Sequence, residues 1–397
     1  MQPNHPFFAV LRAGLWSSPF SPDPEMDFPE LRRELKAHAI TNLAAEPLAA
    51  ADPKNQLEYI RSAALNYRRW LKLMQVQQTI CDIMERAGIP WAVLKGAAAD
   101  IHYPQPQNRS MGDIDILVRS SDLGQAISLL LNAGFALEDD RNPRHFELSK
   151  EGVHVELHRQ FAVRSTQGRG EQLDALLFSA LDRAEKKEIE GLAFYMLPEK
   201  ENGIVLLEHM NSHMASGLGL RQIIDWMLYV DHCLNDEAWF TGFEAAIEPL
   251  GLRKLALTVT RMCQLYLGLR RDITWCQVAD DRLCHRLMGH TLRQGNFGRK
   301  MDRQTHGTVG ILNALDSDLN FFQLLHRHGC YNWKAVRKYP WLKPFAWIYQ
   351  LFRYARKGLR GRNPLGKFLS AFRKQKENMD LLTDLEVQLR DHALKQK

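Results

Sequence analysis

Asp113 and Asp115 are the residues whose spacing points most directly to chemistry. They lie two apart in Arg109-Ser110-Met111-Gly112-Asp113-Ile114-Asp115-Ile116-Leu117-Val118, a run otherwise rich in apolar residues. Side chains alternate along a strand at roughly 3.3 Å per residue, so both carboxylates face one side. That side can hold divalent cations, while Ile114 and Ile116 face the other and can pack on helices. A third carboxylate is available downstream. In Val153-His154-Val155-Glu156-Leu157-His158, the residues Val153, Val155 and Leu157 share one face and His154, Glu156 and His158 the other. If this strand lies in register beside the Asp113 strand, Glu156 faces the same cations.

These residues need elements to hold them. Upstream, Ile89-Pro90-Trp91-Ala92-Val93-Leu94-Lys95-Gly96-Ala97-Ala98-Ala99-Asp100 reads as a short apolar strand, a glycine and a helix that ends before Pro104. Gly96 at the join lets the backbone approach a phosphate, and the unpaired N–H groups of the helix start favour an anion. Lys95 and Arg109 flank this point and can neutralise a polyphosphate. Downstream, Ser121 or Asp122 caps a helix with an apolar stripe at Leu123, Ala126, Ile127, Leu130 and Leu131. A hairpin follows, with strands over 145–149 and 153–158 and a turn around Lys150-Glu151-Gly152.

The order Leu-Lys-Gly before a helix, then Arg-x-x-x-Asp-Ile-Asp-Ile-Leu-Val, an amphipathic helix with Ala-Gly-Phe, and Val-Glu-Leu-His resembles the uncharacterised bacterial nucleotidyltransferase family of the polymerase-β-like nucleotidyltransferase superfamily. The motifs cover about Ile89 to Phe161. The resemblance implies an NTP, ATP above others, bound with Mg2+ or Mn2+, and transfer of a nucleoside monophosphate to a hydroxyl-bearing acceptor with release of pyrophosphate. It implies Asp113, Asp115 and Glu156 as catalytic residues and metal ligands. Lys95, Gly96, Arg109 and Gly112 are then the nucleotide-binding residues, and His154 and His158 border substrate or orient Glu156. One position departs from the superfamily, which places serine after the glycine where this chain has Ala97. That departure keeps a second function in view, a catalytically silent nucleotide-binding or protein-interaction module.

The resemblance also implies an α+β fold, a small mixed β-sheet nucleotidyltransferase core flanked by N- and C-terminal helical regions. A chain of 397 residues, 45% hydrophobic and 25% charged, buries a full core. The expected divisions are a helical region over 1–86, the α/β core over 87–197, a helical domain over 198–325, and a basic aromatic segment with a terminal helix over 326–397. Residues 1 to about 28 read as an irregular arm. From Asn55 to Ala87 the spacing of Leu57, Ile60, Ala64, Tyr67, Leu71, Met74, Gln78 and Cys81 predicts a helix with that stripe inside. Six scattered cysteines form no Cys-x-x-Cys pair, which argues against a zinc cage or a disulfide framework. With no basic leader and no long apolar run, a cytoplasmic protein, peripheral to the membrane at most, is expected.

Charge is unevenly placed. Between Arg327 and Lys376 there are 14 Lys and Arg and no Asp or Glu, leaving 38 basic against 46 acidic residues elsewhere. Aromatics interleave with these charges through 331–376, which suits a solvated face packed by its own rings, an anionic membrane surface, or nucleic acid. His209 and His213 lie four apart on a predicted helix but lack the glutamate and third ligand of a zinc site, so capping or a cleft wall is expected. Arg221 and Asp225 are expected to form a surface ion pair on the next helix, with Arg221 bordering the cleft as the alternative.

Overall fold

Seven strands form the centre of this computed structural model, which describes residues 1–23, 25–140, 142, 144–162, 168–214, 217–296, 326, 329–330, 332–333, 335–336, 339–358 and 380–387. They are β1 (Trp91–Val93), β2 (Ile114–Val118), β3 (Ala136–Asp139), β4 (His145–Lys150), β5 (Val153–His158), β6 (Glu185–Ile189) and β7 (Leu192–Met196). Their order across the mixed sheet is β3-β4-β5-β2-β1-β7-β6. Every residue of β1 and β2 is buried, as expected of central strands covered on both faces. β2 runs antiparallel to β1 and parallel to β5. The β4–β5 and β6–β7 hairpins turn through Glu151-Gly152 and Glu190-Gly191, all four residues with the positive φ that two-residue turns of this kind require.

Helices cover the sheet. They are α1 (Pro6–Trp16), α2 (Phe28–Ala37), α3 (Ala45–Ala51), α4 (Gln56–Ala87), α5 (Ala97–Asp100), α6 (Leu123–Asn132), α7 (Arg169–Ala180), α8 (Glu199–His213) and α9 (Leu220–Cys233), followed by Arg253–Tyr266 and Asp281–Gln294. The fold is therefore α+β, a mixed sheet flanked by helices. Two buried apolar clusters divide the interior. One joins Trp70, Met74, Ile80 and Met84 of α4 to Ile114, Ile116, Val155 and Leu157 of the sheet. The other joins Phe7, Phe8 and Leu11 of α1 to Leu206 and Met210 of α8, Trp226 of α9 and Tyr266. Gly203 lets α8 and α9 approach closely, since a Cβ there would run into the Tyr229 ring.

Several local expectations are corrected. The expected irregular arm over 1–28 is corrected over 6–16: Pro6 starts α1 at its first turn, His5 caps it, and Phe7, Phe8, Val10 and Leu11 are buried, while 17–23 and 25–27 hold no helix or strand. The stripe on α4 is displaced, because its 32 residues outrun the sheet. Leu57 and Ile60 are exposed, and the buried face passes instead through Trp70, Leu73, Met74, Gln77, Ile80, Cys81 and Met84. Neither Ser121 nor Asp122 gives α6 a side-chain cap, and Leu131 faces solvent while Leu123, Ala126 and Leu130 pack inward. The six cysteines are free thiols. No helix among the described residues is long and apolar enough to cross a membrane. Much of 331–376 lies outside the described residues; within it, Ala346–Gly358 is a helix, preceded by a 3-10 turn over Pro340–Phe345.

Candidate active site

The β2–β5 pairing places the acids. Asp115 stands opposite Glu156 in register, so both side chains share one face of the sheet, and Leu117 stands opposite His158. Asp113 precedes β2 by one residue and is exposed at the rim. All three carboxylates line a single cleft of about 260 Å3, together with Lys95, Gly96, Arg109, Gly112 and His158. The far wall comes from α8 and α9, through Glu208, His209, Ser212, His213 and Arg221. His154 lies on the same face as Glu156 by alternation but is exposed beyond the residues that line the cleft.

Ion pairing inside the cleft is dense. Lys95 Nζ lies 2.8 Å from Asp115 Oδ1. His158 Nε2 lies 2.9 Å from the same oxygen and 3.2 Å from Glu156 Oε2, so one imidazole bridges carboxylates of two strands. Burial alone would raise the Asp115 carboxyl; Lys95 and the His158 hydrogen bond outweigh it and hold it well below the ordinary carboxylate range. Burial likewise opposes charge on Lys95 and His158, yet the acids beside them push both pKa values up. Glu156, against its own desolvation, is held low by His158. Asp113 moves the other way, raised first by the charge on Asp115 and then by desolvation. Such crowding of like charge at an open rim is the electrostatic setting a divalent cation offsets, and oxygen donors suit magnesium. The acids therefore fit that metal.

Gly96 begins α5 with φ 60° and ψ −118°, a conformation reserved for glycine, and a Cβ there would lie 2.9 Å from Met111 Cε. The backbone at the strand-to-helix join is thus kept bare beside the acids. Arg109 is placed otherwise than expected. Its Nε and Nη2 bind the two oxygens of Asp225 at 2.7 and 2.8 Å, and its Nη1 binds Asp100 at 3.0 Å, all of them buried. Although Arg109 lines the cleft, its guanidinium is taken up by these two acids and clamps the loop before β2 to α5 and α9. Tyr103 and Trp70 complete the network through hydroxyl and indole hydrogen bonds to Asp225 and Asp100. The expected surface ion pair is corrected accordingly, because Asp225 is buried and taken bidentately by Arg109. Arg221 donates to the Ser110 carbonyl at 2.7 Å and borders the cleft.

Sequence reasoning passed over His145 and Arg144, which line the cleft from β4 and the residue before it. A signal for His145 existed. Closing the hairpin on Glu151-Gly152 pairs Lys150 with Val153 and carries the register back to His145 opposite His158.

Residues 24–268 match a family model described as uncharacterised nucleotidyltransferase. No curated protein matches the chain. Among solved structures, an antigenic nucleotidyltransferase-like protein from Paracoccidioides brasiliensis is similar at 14% identity and a TM-score of 0.33, over 50% of this chain and 93% of that one. The family match takes in both the acid-bearing sheet and the helices that wall the cleft, and the chain belongs to this uncharacterised nucleotidyltransferase family.

Proposed function

We propose that this protein is a magnesium-dependent nucleotidyltransferase that moves a nucleoside monophosphate from an NTP, ATP foremost, to a hydroxyl-bearing acceptor. The observation that carries this reading is the in-register placement of Asp115 and Glu156 on the cleft face, with Asp113 at the rim. In the transfer, the acceptor oxygen bonds to the α-phosphorus as the bond from that phosphorus to the bridging oxygen breaks. Pyrophosphate leaves, and the hydroxyl proton passes to Glu156.

Each protein group has a part. Asp113, Asp115 and Glu156 would hold magnesium, which supplies charge neutralisation on the phosphates and a lowered pKa for the acceptor hydroxyl. Lys95 keeps Asp115 ionised in its buried position. Backbone amides after Gly96, with Lys95 and Arg221 nearby, offset charge on the β and γ phosphates in place of the hydroxyl that Ala97 lacks. Arg109 acts at one remove, by ordering the loop that presents Gly112 and Asp113.

Glu156→Gln tests the reading. Turnover of NTP to pyrophosphate should fall by at least about 100-fold with the fold intact, since a lost metal ligand and proton acceptor together supply several kcal/mol of barrier lowering. Unchanged turnover would overturn it.

A further inference from the structure

We propose that His145, Glu156 and His158 form a second, imidazole-rich site that takes a transition-metal dication such as Mn2+, Co2+ or Zn2+ beside the Asp113–Asp115 centre. The inference rests on the proposed function only in sharing Glu156. One ligand atom from each of the three side chains lies within 4.8 Å of the others. His158 Nε2 is 3.2 Å from Glu156 Oε2, and His145 Nδ1 is 3.7 Å from that same oxygen. Two ligands about 2.1 Å from a tetrahedral ion stand about 3.4 Å apart, so these separations bracket what one ion requires.

The histidine nitrogens carry the argument further. His145 is 6% exposed, and its Nδ1 is buried without a hydrogen-bond partner. Buried imidazole nitrogens ordinarily find a partner, and this one instead faces a carboxylate beyond hydrogen-bond reach. The opposite nitrogen, Nε2, is 2.9 Å from Asn142 Nδ2 and 3.5 Å from Glu147 Oε1. Asn142 Nδ2 donates to Nε2, its own Oδ1 being taken by the Arg144 N–H, so without a metal the ring carries its proton on Nδ1, toward Glu156; an ion bound there takes the place of that proton, and the Asn142 amide turns so that Nε2 donates to Glu147.

Strand pairing builds the site. His145 faces His158 across the β4–β5 ladder, with ring centroids 5.0 Å apart, and Glu156 lies one alternate position back on β5. Two imidazoles and one carboxylate suit manganese, iron, cobalt or zinc, whereas magnesium prefers oxygen donors. The cleft would then distinguish two kinds of cation, an oxygen-bound one at the rim and a nitrogen-bound one at its inner edge.

Titration of the metal-stripped full chain with Co2+ tests the assignment. The wild type should develop the visible absorption of a nitrogen- and oxygen-bound cobalt ion, saturating at one equivalent, displaced by Zn2+ but not by a large excess of Mg2+. His145→Gln, with its fold checked by circular dichroism, should weaken Co2+ binding by at least about tenfold, while Asp113→Asn and His154→Ala should keep it. Independently of any variant, Co2+-loaded wild type should show paramagnetically shifted resonances from two imidazoles. Absence of visible absorption, displacement by Mg2+, unchanged binding in His145→Gln, or fewer than two shifted imidazoles would overturn the site. Normal magnesium-dependent turnover without Co2+ binding would sink this site alone, whereas Co2+ binding without any turnover would support it and count against the proposed function only.

Discussion

Single positions determine how close chemistry can come to the backbone here. Gly96 has a positive φ, and a Cβ there would press on the Met111 methyl, so any side chain strains the join between β1 and α5. Gly96→Ala should cost about 1–3 kcal/mol, measured by urea unfolding, and should raise the KM for NTP if the bare amides meet phosphate. The glycine was legible from sequence as a turn residue next to a helix. The fate of its neighbours was less so. Both Lys95 and Arg109 read as free cations near a phosphate, but Lys95 sits on Asp115 and Arg109 on Asp225 and Asp100. A cation's sequence neighbours do not say which buried acid the fold brings onto it, whether that acid is near in the chain, as Asp115 is to Lys95, or on a distant helix, as Asp225 is to Arg109.

At the scale of elements, the Arg109 network ties the loop before β2 to both α5 and α9. Asp225→Ala should destabilise the chain by about 3–5 kcal/mol, because it takes the bidentate partner from a buried guanidinium and leaves it Asp100 alone, and equilibrium unfolding in urea would measure the loss. Asp100 adds a pH dependence. Burial lifts its carboxyl from 3.8 to about 7 despite Arg109 and Trp70. A carboxyl raised on folding contributes stability that is complete below its unfolded pKa and lost as pH rises through the folded value. Wild-type stability should therefore decline relative to Asp100→Asn between about pH 4 and pH 7, followed by unfolding at each pH. Strict alternation in 153–158 was enough to place Glu156 and His158 on one face, because a one-residue slip would expose Val155 and Leu157. The α4 stripe misled because helical period fixes spacing, not which stretch of a long helix has a partner.

Across the whole molecule, the sequence made the acid-bearing strands and their neighbours β1 and β4 plain, but not β3 at the sheet edge and not the cleft. The far wall is formed by α8 and α9, whose residues are buried nearly all round, so periodicity alone gives them no inward face. Likewise α1 shares a core with α8, α9 and Tyr266 at the other end of the family match, a pairing that no local pattern encodes. Enclosure by these helices turns two strand-borne carboxylates, Asp115 and Glu156, and Asp113 just before β2 into a site with an entrance and walls. The proposed transfer of a nucleotide by these acids has a direct test. The direct measurement is transfer of label from α-phosphate-labelled ATP, with magnesium, to hydroxyl-bearing acceptors by the wild type and by Asp115→Asn. The wild type should yield labelled product and free pyrophosphate, and Asp115→Asn at least about 100-fold less. Equal labelling by the variant, or tight NTP binding by the wild type with no label moved to any acceptor, would contradict the account.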